Sequence, residues 1–368
     1  MLEFLVHLIP TAAILGVLIF VHELGHFLAC RYAGVGVEKF SIGFGPELLG
    51  WKRHETRYSI SLIPFGGYVK PKGESLEEVE ARGGILDPTD FLAATPQRRF
   101  VILIAGVTMN FTLAYVLFVA MMCFGRPVLA PQIGGFVSGL PAETSALRIG
   151  DEVTSVNHKP VSSWQDLTMK ILTSGGAPLN FTVKRGDENL EIQVIPQFEE
   201  GRDLFGQLTR VPRIGITWAE NYIVEKYPLR VAVVKAAQLE WQLSTLTLQA
   251  LGRLVTGELS PKTLIGPIGI VSIAGRAAQM GFAAVLEFTA LLSVSLGVIN
   301  ALPIPALDGG HLFFLAIEVI RKKPLSTRTQ ERVTQVGFCF LMLLMAVVVF
   351  NDLVRIGVID KIKIFLFL

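Results

Sequence analysis

His22-Glu23-Leu24-Gly25-His26 places two imidazoles four residues apart, with a carboxylate beside the first. Residues at i and i+4 share one face of a helix, so both imidazoles can converge on one metal ion while Glu23 reaches a water beside it. That residue set suits a zinc-dependent hydrolase, in which neutral imidazoles ligate and the carboxylate acts as base. The motif sits near the end of an apolar stretch. There, ionisable groups without a shared partner would cost on the order of several kcal/mol, and a metal ion supplies that partner.

A catalytic zinc usually takes three protein ligands and leaves one position open. The run Asn300-Ala-Leu-Pro-Ile-Pro-Ala-Leu-Asp308-Gly-Gly-His311 offers two candidates: Asp308 leads, and His311 is its rival. Prolines and glycines interrupt a hydrophobic stretch there, and irregular backbone at membrane depth is tolerated only in a protein interior or beside a wet cavity. His7, His54 and His158 have no comparable surroundings and are expected at interfaces or on the surface. Gly43-Phe-Gly45 reads as a glycine-rich bend, since no strand and helix flank it to make a nucleotide loop.

The elements that must position these residues are apolar helices. Of the 368 residues, 51% are hydrophobic and only 17% charged, and the mean hydropathy is +0.52, which indicates a polytopic α-helical membrane protein. Blocks at 4–29, 100–124, 283–320 and 336–350 are apolar enough for about four transmembrane helices. No Lys or Arg precedes Arg31, so the first block is expected to be a retained helix and not a signal peptide. Basic residues crowd the connections at 31–99 and 321–332. The positive-inside rule therefore puts both in the cytoplasm, with both termini and residues 125–282 on the outer face. The tail residues Arg355, Lys361 and Lys363 weigh against that arrangement.

The formal net charge is +2 and no basic stripe carries interleaved aromatics, so a nucleic-acid partner is not expected. Cys30, Cys123 and Cys339 form neither a CxxC pair nor a disulfide framework and read as small apolar residues.

Four regions are expected. Residues 1–124 form an N-terminal membrane region with the HExxH helix, a cytoplasmic β-element and a second transmembrane helix. Residues 125–215 form an α+β domain, 216–282 an amphipathic connecting region, and 283–368 a C-terminal membrane region. In the α+β domain, the string from Gly139 to Val153 reads as a turn, a short helix starting near Pro141, and a glycine turn into a strand; residues 164–172 read as a second helix. This pattern closely resembles a PDZ domain of the bacterial protease type, which captures peptides by adding a strand to a sheet edge. Ile133-Gly134-Gly135-Phe136 falls where such domains have their carboxylate-binding loop. Residues 57–63 alternate polar and apolar side chains, then bend at Pro64, Gly66 and Gly67; an unpaired strand edge there could hold a substrate in extended form.

HELGH, Phe40-Ser-Ile-Gly-Phe-Gly45, Pro64-Phe-Gly-Gly-Tyr-Val-Lys70, the PDZ-like string, Gly266-Pro-Ile-Gly269 and Asn300 through Leu307-Asp308-Gly309-Gly310 together resemble the site-2 protease family of intramembrane zinc metalloproteases. Within that family the resemblance is to the bacterial RseP type. It implies zinc held by His22, His26 and Asp308, with Glu23 as catalytic base and a membrane-associated β-element near the site. Asn300 would hold the substrate backbone; Gly66 and Gly67, at the bend after residues 57–63, are the further substrate-binding candidates read from the residues themselves.

The implied activity is hydrolysis of peptide bonds within transmembrane segments of single-pass proteins, such as anti-sigma factors or remnant signal peptides. The implied location is the bacterial cytoplasmic (inner) membrane, with the PDZ-like domain on the periplasmic face and the active site near the cytoplasmic side. Two features depart from the type. It carries two PDZ domains where this chain has room for one, and its glycine-proline step before the second-helix asparagine is Gly106-Val107 here, with Asn110 retained. A non-cleaving PDZ scaffold would have no use for Glu23, and a metal transporter would need polar residues along a whole transmembrane path.

Overall fold

The computed structural model describes residues 2–202, 208–323, 325–355 and 357; Lys361 and Lys363 lie outside the described residues. In chain order the elements begin with α1 (Leu2–Ala33), β1 (Val37–Arg53), β2 (Thr56–Pro71), α2 (Leu76–Ala81) and α3 (Pro96–Phe124). Next come β3 (Arg126–Leu129), β4 (Ile133–Phe136), β5 (Glu152–Val156), β6 (Lys159–Pro160), α4 (Trp164–Leu172), β7 (Leu179–Arg185) and β8 (Glu188–Val194). After β9 (Gln197–Arg202), β10 (Leu208–Arg213), β11 (Ile216–Trp218) and β12 (Tyr222–Glu225), the rest is helical: α5 (Leu229–Val255), α6 (Pro267–Met280), α7 (Phe282–Ala301), α8 (Asp308–Arg321) and α9 (Thr327–Arg355). Among the described residues, four stretches are long and apolar enough to cross a membrane: His7–Ala33, Pro96–Phe124, Phe282–Ala301 and Arg328–Arg355. The expected third block is thus one spanning helix, α7, followed by irregular backbone and the separate helix α8.

The chain divides into two compact units. In the first, Leu18 of α1, Leu113 of α3, Ala274 of α6 and Leu292 of α7 pack into one core. Small residues bring the helices close: a Cβ at Gly25 would sit 2.6 Å from Ala105 O and 2.7 Å from Met109 Cγ of α3. The N-terminus of α6 is capped by the buried Asp352 of α9, whose Oδ1 and Oδ2 accept from Gly266 N at 3.2 Å and Gly269 N at 3.0 Å. This accounts for the Gly266-Pro-Ile-Gly269 run, because a side chain at Gly266 would collide with that carboxylate.

The β-element of this unit corrects one expectation. Residues 39–42 pair with 67–70 on one side and with 57–60 on the other, while 47–53 close a hairpin on 56–61. Residues 57–60 are therefore paired on both sides. The two outer edges are 47–53 and 67–71, neither of which has a second strand neighbour among the described residues.

The second unit comprises residues 121–232 and 253–259. Its four-stranded sheet, in the order β6-β5-β7-β8, packs Val153, Phe181, Val183 and Ile192 against Leu167 and Ile171 of α4. Ser163 caps α4 by accepting from Asp166 N, and Leu167 and Ile171 lie four apart on its buried face. The 139–153 string differs from expectation: residues 141–144 form turns instead of a helix, and Glu143 accepts from Gly139 N at 2.8 Å. Ile133–Phe136 is a strand, β4, paired with β11, and not a loop. A Cβ at Gly134 would lie 2.2 Å from Trp218 O, so the glycine is needed for close strand approach. The groove of this unit lies instead between α4 and residues 211–218, lined by Trp164, Thr168, Ile216 and Trp218.

Asp151 is 1% exposed and receives Arg185 Nε and Nη2 at 2.8 Å each. Burial by itself would raise its carboxyl, but hydrogen bonds from Arg185 and the Arg148 amide outweigh it and hold the group below the ordinary carboxylate range. Its folded value therefore lies below its unfolded one. The pair's contribution is present above an unfolded pKa of about 3.9 and is lost as pH falls through the folded value. Arg185→Met, which strands the buried carboxylate, is expected to destabilise this unit by about 3 kcal/mol at neutral pH. Hydrogen exchange along β5 and β7 measures this. Protection equal to that of the wild type at pH 7 would show the pair to be dispensable.

Candidate metal centre

His22, Glu23 and His26 lie in the last third of α1, and Asp308 opens α8. The structure brings three of these side chains together: His22 Nε2 and His26 Nε2 are 3.3 Å apart, and Asp308 Oδ2 is 3.2 Å from the first and 3.3 Å from the second. Ligand atoms bound tetrahedrally at about 2.0–2.1 Å from zinc would be spaced at roughly 3.3–3.4 Å. Asp308 Oδ2 is buried and accepts no hydrogen bond despite having both nitrogens so near. Three donor atoms gathered this closely around a common point fit a metal ion, and an N,N,O donor set suits zinc.

The outward nitrogens are held by α3. His26 Nδ1 lies 2.8 Å from Ile102 O and donates to it, which leaves Nε2 with its lone pair free. His22 Nδ1 lies 3.1 Å from the Asn110 amide nitrogen, while Asn110 Oδ1 is buried without a partner. A half-turn of that amide places Oδ1 as acceptor for a protonated Nδ1, which is the tautomer that frees His22 Nε2 for a metal. Ser293 of α7 donates to Asn110 O at 2.7 Å and fixes the α3 backbone at this level.

Gly106 lies between these two contacts, one turn from Ile102 and one from Asn110. A Cβ there would sit 2.2 Å from His26 Nε2 and 2.8 Å from His22 Nε2. Gly106→Ala is therefore expected to push the imidazoles apart and lower zinc affinity by at least about tenfold, as loss of an outer-shell support does. Competition with a chelator measures it, and wild-type zinc retention would show that the site has room for the methyl group. The spacing of Gly106 and Asn110 on one face of an apolar helix is the signal from which their place at the site could have been read.

The paired glycines after Asp308 serve the loop before it. A Cβ at Gly309 would lie 2.1 Å from Leu302 O, and one at Gly310 would lie 2.5 Å from Ile304 O. The first turn of α8 is thus pressed onto residues 301–305, which sets the position of Asp308. Arg99 of α3 adds a two-pronged ion pair to Glu318 of α8.

Glu23 faces the β-element: a Cβ at Gly67 would lie 3.1 Å from Glu23 Cγ and 2.8 Å from Ser41 O. Gly66 has φ +115°, and a side chain there would strike the Phe44 ring. Of the two edges of the β-element, the one at 67–71 therefore begins beside Glu23. Asn300 is half-buried on the last turn of α7 and makes no side-chain hydrogen bond among the described residues. His311 is not among the converging atoms; its ring stands edge-on to Phe314 at 6.2 Å, in a cavity shared with Glu74, Arg99 and Glu318. His7 packs on Gly275 of α6, and His54 and His158 occupy left-handed turn positions.

A model of peptidase family M50 matches residues 10–344. A Rhizobium meliloti protein that carries the name zinc metalloprotease is 34% identical over 371 residues, covering 96% of this chain and 98% of its own. One from Campylobacter jejuni with the same designation is 35% identical over 353 residues, covering 95% of this chain and 94% of its own. Among solved structures, the PDZ domain of the SdrC-like protein from Listeria monocytogenes aligns at 23% identity with a TM-score of 0.20, over 24% of this chain and 86% of that one.

Proposed function

Because the chain belongs to peptidase family M50, the site-2 proteases, and is an integral-membrane zinc metalloprotease, we propose that it hydrolyses peptide bonds within the transmembrane segments of single-pass proteins. His22, His26 and Asp308 hold the zinc in this reading, and Glu23 is the base. The observation that carries it is the convergence of His22 Nε2, His26 Nε2 and Asp308 Oδ2 at 3.2–3.3 Å, with Glu23 on the same helix.

Zinc, when bound, supplies Lewis acidity that polarises a scissile carbonyl and acidifies water near neutral pH. Glu23 takes a proton from the attacking water and delivers it to the leaving amine, so the carboxylate ends the cycle as it began. Ile102 O and Asn110 hold the two imidazoles in the tautomer that turns Nε2 inward. A helical substrate shields its own carbonyls and must be unwound. The open edge at residues 67–71 beside Glu23 offers backbone groups that an extended segment can pair with, and Asn300 adds a side-chain amide. Gly66 makes room for the Phe44 ring and Gly67 for Ser41 O and Glu23, so both glycines let this edge start close against α1.

The orientation follows from the basic residues: 31–99 in the cytoplasm, the PDZ-like unit in the periplasm, and the site toward the cytoplasmic side of a bacterial inner membrane. Anti-sigma factors and remnant signal peptides are substrates of the right build, with one span and a short outer remnant. In reconstituted vesicles, mass spectrometry of the products of a single-pass substrate is expected to find new termini inside its apolar segment. Cuts confined to the soluble flanks would overturn the intramembrane reading. Cysteines introduced at Ser75 and Ser162 are expected to label from opposite sides, and labelling from one side would overturn the orientation.

A further inference from the structure

Between the first turns of α3 and the last turns of α8 lies a trough of about 820 Å³. Its walls are apolar and open: Phe100 is 51% exposed and Val319 53%, with Val101 and Leu312 beside them. At one end stand Lys322 and Lys323, exposed and without an ion-pair partner among the described residues. Lys322 takes the left-handed conformation that ends α8, so the chain turns there and both ammonium groups gather at the rim. The one acid in the lining, Glu318, is already neutralised by Arg99. The trough therefore combines an apolar floor with two uncompensated positive charges, near the N-terminal end of the membrane-crossing stretch of α3.

An acyl chain covers such walls, and a phosphodiester satisfies such a rim. A substrate helix is a poorer match, because the cytoplasmic flank of a spanning segment is itself commonly basic and would be repelled by the two lysines. We propose that the trough between α3 and α8 is a binding site for an anionic phospholipid, with its phosphodiester on Lys322 and Lys323 and an acyl chain along Phe100, Val101, Leu312 and Val319.

The test uses the full chain in phosphatidylcholine nanodiscs into which phosphatidylglycerol is titrated, with bound lipid counted by native mass spectrometry. One phosphatidylglycerol is expected to be retained in preference to phosphatidylcholine. Lys322→Gln with Lys323→Gln is expected to weaken that preference about thirtyfold, from about 1 kcal/mol per basic residue and tenfold per 1.4 kcal/mol. Ala316→Trp, which fills the trough without changing charge, is expected to abolish retention. Lys52→Gln with Arg53→Gln, at the exposed end of β1 and far from the trough in sequence, is expected to leave it unchanged.

The proposal fails if the double lysine variant keeps the wild-type preference, or if the Lys52 and Arg53 variant loses as much. It fails equally if glycerol phosphate competes as well as the intact lipid, which would mark a headgroup site alone, or if a transmembrane substrate peptide displaces the lipid one for one.

Discussion

Glu23→Gln is expected to reduce peptide hydrolysis by about 10²–10⁴-fold while leaving zinc bound at wild-type stoichiometry. The amide keeps the size and shape of the side chain, so its packing against Gly67 survives. It cannot accept and return a proton. The three converging donor atoms belong to other residues, so the metal has no reason to leave. His22→Ala or His26→Ala, by contrast, removes a donor and should lose zinc and activity together. Zinc content and turnover of a model transmembrane substrate are measured on the same purified preparation. Near-normal turnover in Glu23→Gln would take Glu23 out of the mechanism.

The second large effect separates the two residues that compete for the third position. Asp308→Ala deletes the oxygen that lies 3.2 and 3.3 Å from the two imidazole nitrogens. Its zinc affinity is expected to fall by more than the roughly 10–100-fold that an outer-shell partner is worth, and proteolysis should vanish. A carboxylate also lowers the net positive charge at the metal, which a third neutral imidazole would not do. His311 stands in the neighbouring cavity against Phe314, so His311→Ala is expected to keep zinc and to lose activity only in part. Metal analysis of the two variants at equal folding decides between them. Zinc retained by Asp308→Ala and lost by His311→Ala would reverse the assignment.

What could be read from the residue order alone was whatever depends on near neighbours or on composition. The HELGH motif is legible because four residues on a helix bring two side chains to one face whatever surrounds them. The four spanning helices are legible because a bilayer demands a length of apolar chain, and α4 because Ser163 and the spacing of Leu167 and Ile171 are local signals. The resemblance drew its strength from several such local runs standing in one order.

The tertiary structure decided everything that rests on which surfaces meet. Alternation marked residues 57–63 as a strand but said nothing about how many partners it has; pairing on both sides leaves 47–53 and 67–71 as the edges, of which 67–71 lies beside Glu23. The glycine pair in Ile133–Phe136 looked like a loop, yet it permits close strand approach, and the glycines after Asp308 serve contact with the loop carbonyls at 302 and 304. Gly106 and Asn110 gained their place at the site only once α3 was set against α1. The register between two helices follows from the interlocking of many side chains along both, and no single segment carries that information.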